Sequence, residues 1–366
     1  MAYSLVNTAV AGWIRNGWRH SSGGQKPVAP LPVVTIRECV RCRGRMQLAG
    51  HSLAAMLLIQ PRVRRRGGME TVWSEPPAVA RLRVRRALRE AREASGLRQT
   101  HVADRLSWSV SKLRRIEGGE VGVSITDLRA LLDLYDVRDP VFIEQLTSSA
   151  AASRRQRWSV PAQFRARLTP ALVELLQFEQ EATAVRAYQP FAFPDVLQTQ
   201  AMAEHLLGTI DESLSEQDRQ VRLDVRMMRA RHLTEQADAP AYSVMLDESV
   251  LKRMVGGRAV LADQLEAIVS AAERPHIRLR IVPMSEGAKV GMLGAFTVLD
   301  LSDDGIGAVL YRESGTTDRI VQDPETVSSY RNRFDNAWPR CYSEDDSLCL
   351  VRTEAMALRA SLIRRP

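Results

Sequence analysis

The stretch from Leu97 to Gly119 constrains the fold more than any other part of this 366-residue chain. Its apolar residues are spaced as in two short helices that share one core across a turn of three residues. A small residue, Ala103, stands where two such helices would cross closely. The apolar positions are Val102, Ala103 and Leu106, followed by Trp108, Leu113 and Ile116.

The second of these helices would carry an exposed polar side. Ser109 is suited to cap its N-terminus, because a serine hydroxyl accepts a hydrogen bond from a backbone N–H of the first turn. If Leu113 and Ile116 face inward, the outer side presents Val110, Ser111, Arg114 and Arg115. This pattern is typical of a helix-turn-helix, whose second helix lies in the major groove of DNA.

Three more helices are predicted around this pair. From Ala78 onward apolar and small residues recur at helical spacing, and Gly96 would follow the C-terminus of that first helix. Ser124 and Asp127 form a variant capping box before a fourth helix, and a fifth begins at Val141. Residues 78–147 are therefore predicted to form a mainly α domain of five short helices. In the first helix the residues at helical spacing are Val84, Leu88, Ala91 and Ser95. The inward-facing residues of the fourth and fifth helices are Ile125, Leu128, Leu131, Leu132, Tyr135, Phe142, Ile143 and Leu146.

The charge is uneven along the chain. Residues 81–115 carry eleven arginines and lysines against three acids, whereas the chain from Val141 onward is mildly acidic. A basic block of helical size on a nearly neutral body indicates a phosphate-binding head. A solvated arginine-rich face is the alternative. In particular, Arg81, Arg83, Arg85 and Arg86 would either flank the DNA or only solvate the first helix.

This region resembles the Cro/lambda-repressor type of helix-turn-helix, also called the xenobiotic-response-element type. The matching motifs are Leu-x-Gln-x-x-x-Ala-x-x-Leu from Leu97, Ser-x-Ser-x-Leu-x-x-Ile-Glu-x-Gly from Ser109, and the Ser-x-x-Asp-Leu helix start at Ser124. The resemblance implies that Gln99 contacts phosphate. It also implies that Val110, Ser111 and Arg115 reach bases. Ser109, Lys112 and Arg114 complete the predicted DNA-binding set.

Several of these residues have a second interpretation. Lys112 is expected to face phosphate, and Arg114 either a base, a phosphate or solvent. Trp108 is expected in the core, His101 on the surface, and Glu117 in support of the helix end.

The motif departs from the family pattern at two positions. Ser107 stands where relatives have a glycine in a left-handed conformation, which costs about 1 kcal/mol for serine. Val110 stands at an often polar position, where it could contact a thymine methyl group instead of a hydrogen-bonding base edge.

Residues 160–366 predict an α+β domain with a small sheet whose strand order the sequence does not give. Helices are expected in 170–236, where Glu179 and Ala182 fall in one helix and Val196–Leu207 in the next, and again near 258–272, 323–340 and 345–363. Residues 148–160 would be a hinge or a helix extension. The expected strands are Ala241–Leu246, Ile277–Val282, Phe296–Leu301 and Ala308–Arg312.

This part is similar to an uncharacterised C-terminal domain that follows such a helix-turn-helix in many actinobacterial regulators. The similarity lies in Trp158, Glu179-x-x-Ala182, Tyr188-Gln189-Pro190, Pro194–Thr199, Pro275–Pro283, Gly294–Phe296 and Ala308–Glu313. It implies a small partner protein, in a toxin–antitoxin-like or developmental switch. Glu179 could be a functional carboxylate, although a hydrogen bond between packed helices is the simpler interpretation.

The N-terminal residues 1–75 are predicted to be a disordered leader, because glycines and prolines interrupt every regular pattern. A sharper hypothesis places the true start at Met69. The longest apolar run, Leu53–Ile59, is far too short for a membrane span and no signal peptide is evident, so a cytoplasmic protein without membrane contact is expected.

Enzymatic and metal-binding functions are not expected. Cys39-x-x-Cys42 is a lone pair without the second pair of a zinc site, and Asp303, Asp304, Asp345 and Asp346 are expected at turns and caps. Metalloprotease, nucleophile-elbow and phosphate-loop motifs are missing. The sequence therefore predicts no catalytic residue, no metal and no cofactor.

Together these features predict a sequence-specific transcriptional regulator that binds double-stranded DNA as a homodimer. The alternative is an antitoxin-like interaction protein whose main role is to bind a small neighbour-encoded protein. A third hypothesis, a ligand-sensing relic of an enzyme, would require a pocket that the sequence cannot show.

Overall fold

The computed structural model describes residues 75–154, 164, 166–210, 214–287, 289–290, 294–301, 307–312 and 318–363. The predicted leader up to residue 74, the alternative start at Met69 and the Cys39–Cys42 pair lie outside these residues. Trp158, Asp303 and Asp304 also lie outside them.

The N-terminal part of the described chain, called the helical region below, contains the five predicted helices. They are α1 Pro77–Ala94, α2 Gln99–Arg105, α3 Val110–Gly118, α4 Ile125–Leu134 and α5 Pro140–Ala152. The last helix continues past Leu146 to Ala152, so residues 148–152 extend the helix, while residues 155–160 of the predicted hinge or extension lie outside the described residues. The helices close around a core that includes Val84, Leu88, Val102, Leu113, Leu128 and Leu146.

Local signals in the sequence set the ends of these helices. The hydroxyl oxygens of Ser109 and Ser124 accept hydrogen bonds from backbone N–H groups of the first turns of α3 and α4, which confirms both predicted N-caps. Gly96 and Gly119 follow α1 and α3 with φ of 68° and 78°, in the left-handed region where glycine is favoured. Local residues thus set the starts of α3 and α4 and the ends of α1 and α3.

The second part of the chain, called the α+β region below, is built on a six-stranded sheet. The strands are β1 Ala182–Gln189, β2 Ala241–Asp247, β3 Ile277–Val282, β4 Phe296–Leu301, β5 Ala308–Arg312 and β6 Arg319–Val321. Their order across the sheet is β3-β2-β1-β4-β5-β6. The β1–β2 and β2–β3 pairs are parallel, and the β1–β4, β4–β5 and β5–β6 pairs are antiparallel.

Helices cover both faces of this sheet. They are α6 Pro170–Glu181, α7 Gln200–Ile210, α8 Glu216–Thr234, α9 Gly257–Ala272, α10 Pro324–Ala337 and α11 Glu344–Ile363. Val185 and Ala187 of β1 point into a core shared with α9 and α11, whereas Tyr188 points into a second core that contains Phe334 of α10. Side chains alternate between the faces of a strand, so the sheet is buried on both sides.

Two details of the helical prediction for residues 170–236 were wrong. The helix with Glu179 ends at Glu181, and Ala182 begins β1, the strand between β2 and β4. Val196–Leu207 is not one helix, since a short 3-10 turn at Asp195–Leu197 precedes α7. The expected α+β class and all four expected strands are confirmed, and β6 is an additional short strand at the sheet edge.

Helix α1 contributes to the interiors of both regions. Its first turns place Ala78, Val79 and Leu82 in the core shared by the sheet, α9 and α11. Val84 and Leu88, further along the same helix, lie in the core of the helical region. Apolar residues three to four positions apart lie on one side of a helix, and here that side passes from one core into the other.

Candidate nucleic-acid interface

A tight turn holds α2 and α3 together. Ser107 has φ of 56°, the left-handed conformation expected at this position, and the backbone N–H of Trp108 donates to the Ala103 carbonyl at 2.8 Å. Ala103 is fully buried. On the inner side of α3, Leu113 is also fully buried and Ile116 is almost completely buried. The inner side of α3 is therefore held by close packing.

The outer side of α3 faces solvent. Ser111 and Arg114 are exposed, the Arg115 side chain is 56% exposed, and Val110 is half-buried. Arg115 Nε lies 3.6 Å from the carboxylate of Glu120, a contact between two exposed groups that adds little to stability. Both guanidinium groups thus lie at the surface, and their contacts with DNA remain predictions.

The Lys112 side chain is held in place by two contacts within the helical region. Its ammonium donates to Asp127 Oδ1 of α4 at 3.0 Å and lies 3.6 Å from the centre of the Trp108 ring. Trp108 itself is half-buried against the core of the helical region. The Lys112 side chain thus connects α3 to α4, and an ammonium has three N–H donors, so others are left for a phosphate.

Glu117 joins three helices from a buried position. Its carboxylate accepts hydrogen bonds from Arg92 Nε of α1 at 2.7 Å and from Gln99 Nε2 of α2 at 2.8 Å. The hydrogen bond to Glu117 raises the pKa of Arg92 above its ordinary value. Glu117 thus has the supporting role that was expected, and one N–H of the Gln99 amide is already used inside the protein.

The arginines of α1 make contacts that the sequence did not indicate. Arg83 pairs with Glu75, and Arg81 donates weakly to the Ser153 carbonyl. Arg85 and Arg86 donate to backbone carbonyls of the α+β region. All four side chains thus bond to the protein itself, and whether they also flank DNA stays a prediction.

Only part of the basic block in residues 81–115 therefore lies open to a phosphate backbone. The exposed basic side chains are those of Arg89, Arg98, Arg105, Arg114 and Arg115, beside the half-exposed Lys112. The sequence did not identify Arg92 and Arg85 as side chains that hydrogen-bond to α3. These two arginines are seven residues apart and so lie on one side of α1. That spacing was a usable signal for contact with a neighbouring helix.

Comparison with known families agrees with this geometry. Residues 83–146 match the family model of a helix-turn-helix domain. The helical region is a helix-turn-helix domain. Residues 172–353 match the model of a domain of unknown function, DUF5753. Neither the comparison with curated proteins nor that with solved structures returned a match.

The helix-turn-helix domain supports a DNA-binding regulator. In the segments that the structure describes, no helix combines the length and the apolar character needed to cross a membrane. Over the same segments, no three side chains of His, Cys, Asp or Glu are grouped as metal ligands.

The acidic residue singled out in the DUF5753 region forms part of a buried ion cluster. Arg229 of α8 donates to both carboxylate oxygens of Glu179, the nearest at 2.7 Å, and also pairs with Asp195. Both Glu179 and Arg229 are buried. The cluster joins α6, α8 and the Asp195–Leu197 turn, so the helix-packing interpretation of Glu179 describes what the structure shows.

Proposed function

We propose that this protein is a sequence-specific transcriptional regulator that places α3 in the major groove in the manner of the Cro/lambda-repressor type. The proposal rests on one observation: the inner side of α3 is locked in a core while its outer side, with Ser111, Arg114 and Arg115, is exposed. A rigid helix with an exposed basic face can carry side chains to base edges in a fixed geometry.

The proposed contacts follow from the placement of each side chain. Ser111 and Arg115 read base edges, and Val110 contacts a thymine methyl group. Arg114, Ser109 and Gln99 bind phosphate oxygens; the Ser109 oxygen accepts from the Lys112 backbone N–H at 3.1 Å, which leaves its own hydrogen to donate. Lys112 adds a phosphate contact without leaving Asp127.

The regulator acts as a homodimer on a two-fold operator in the cytoplasm, without catalytic activity. The homodimer follows from the motif class, since helix-turn-helix dimers bind half-sites about one helical turn apart. The DUF5753 region senses a small partner protein or a ligand in this proposal. What supports that role is α1, which passes through the cores of both regions and joins them physically.

The test is a selection of bound duplexes from a random pool with the full-length protein, followed by affinity measurements on the enriched site and on a scrambled duplex. A two-fold symmetric site bound by two chains is expected. Arg115→Ala should weaken the selected site by about 1–3 kcal/mol, whereas Lys112→Ala should weaken both duplexes alike. The matched control is Arg231→Ala, which removes an exposed arginine from α8. Failure to bind any duplex at low salt would refute the proposal.

A further inference from the structure

Arg85 connects the recognition helix to the DUF5753 region through one guanidinium group. Its Nη1 donates to the carbonyl of Gly118, the last residue of α3, at 3.1 Å. Its Nη2 donates to the carbonyl of Gln322, between β6 and α10, at 3.4 Å. The planar guanidinium presents its donors in a fixed fork, so holding both carbonyls also fixes the distance between them.

The end of α3 is suited to receive this cation. The carbonyls of the last turn of a helix lack intrahelical partners and carry partial negative charge. Gly119 follows α3 with a positive φ, and a Cβ at this position would lie 2.5 Å from Arg85 Nη1. Any side chain at residue 119 would therefore strain the backbone and also displace the guanidinium.

The other end of the connection is anchored within the DUF5753 region. The Gln322 side chain donates to Glu174 of α6 at 2.9 Å. Next to Arg85, Arg86 Nη2 donates to the Ala308 carbonyl of β5 at 3.0 Å. Two consecutive arginines thus bind the same region, but only Arg85 also has a hydrogen bond to α3 among the described contacts.

The environment of Arg85 makes it unsuited to bind DNA directly. Its side chain is half-buried, and burial together with the neighbouring Arg86 lowers its pKa to about 10, although Glu174 opposes this. At neutral pH it still carries its charge, and both of its described hydrogen bonds end on carbonyls of the protein.

We propose that Arg85 is a positioning residue through which the DUF5753 region sets the placement of the recognition helix on DNA. This inference rests on the proposed function. Loss of the two Arg85 hydrogen bonds releases the C-terminal end of α3 from the α+β region, while the inner side of α3 stays packed. Operator binding needs side chains at precise base edges, whereas binding to random DNA needs only charge near phosphates. Operator affinity should therefore depend on Arg85 more strongly than affinity for random duplex.

The test compares Arg85→Met with the matched Arg86→Met in the full chain, measuring Kd for operator and random duplex over a salt series. Arg85→Met should weaken operator binding about tenfold, the equivalent of one charged hydrogen bond. Random-duplex affinity and the salt dependence of log Kd should stay unchanged. Arg86→Met should keep the operator affinity of the wild type. Arg85→Lys, which keeps the charge but not the fork, should fall between the wild type and Arg85→Met.

Three results would overturn the inference. Equal operator affinity of Arg85→Met and Arg86→Met would remove the positioning role. A parallel loss on both duplexes with a salt slope smaller by about one would make Arg85 a phosphate contact. If thermal unfolding shows that Arg85→Met does not fold, Arg85→Lys is tested in its place. Wild-type operator affinity in Arg85→Lys would then refute the inference. A wild-type protein that binds no duplex would instead refute the proposed function itself.

Discussion

The arginines of α1 and those of α3 contribute to the same basic block but have different surroundings. Each of the six arginines in α1 has a hydrogen-bonding partner within the chain. Arg114 and Arg115 of α3 lie at the surface, where Arg115 makes a long, exposed contact with Glu120. Charge density along a sequence therefore does not separate arginines that are bonded within the protein from arginines that face solvent.

The largest expected effect is the loss of stability when Arg92 of α1 is replaced. Arg92→Ala leaves the buried carboxylate of Glu117 without its cation, which should destabilise the protein by about 3 kcal/mol. Chemical denaturation measures this. The control is Arg89→Ala, whose partner Glu93 is half exposed, with an expected loss under about 0.5 kcal/mol. Similar losses for both variants would contradict the supporting role of Arg92.

On the α3 side, Arg115→Ala should act on binding and leave folding unchanged. We expect a loss of about 1–3 kcal/mol in operator affinity and a change in stability within about 0.5 kcal/mol, since the side chain is mostly solvated. Paired binding and unfolding measurements separate the two quantities. An Arg115→Ala protein that is clearly destabilised but keeps wild-type operator affinity would contradict this prediction.

Ser107→Gly sharpens the comparison by relaxing the turn that holds α3 in place. Serine with φ of 56° is strained, and glycine at this position should stabilise the protein by about 1 kcal/mol. The thermal unfolding midpoint should rise while operator affinity stays constant. A lower midpoint would show that the serine side chain makes a compensating contact.

The smallest expected effect concerns Glu174, which lies near Arg81 and Arg85. Burial raises the pKa of its carboxyl, and these arginines and the Gln322 hydrogen bond only partly offset that. The folded state then binds more protons than the unfolded state between the two pKa values, so this group lowers stability as the pH rises through that window. Glu174→Gln should gain stability relative to the wild type at neutral pH, and the gain should shrink as the pH falls through the window between the two pKa values. Denaturation of both proteins over a pH series tests the sign.

Residues with local signals were predictable, whereas those defined by distant partners were not. Ser109, Ser124 and Gly96 act within a few residues of their own positions, and Leu113 and Ile116 follow a helical period. By contrast, Arg85 bonds to residues 33 and 237 positions away. Strand β1 reads Ala-Thr-Ala-Val-Arg-Ala-Tyr-Gln, whose alanines and interior arginine obscure the pattern of a buried strand. Its place between β2 and β4 depends on pairing with segments far along the chain.

The passage of α1 through two cores limits how this protein can be divided or recombined. A fragment that ends after the helix-turn-helix would leave Ala78, Val79 and Leu82 uncovered, and one that begins after α1 would lack part of the interior under the sheet. Replacement of the helix-turn-helix domain by one from another regulator would require a first helix that packs into both cores. In this architecture the two regions are not interchangeable modules, and sequence changes on either side of α1 are constrained together.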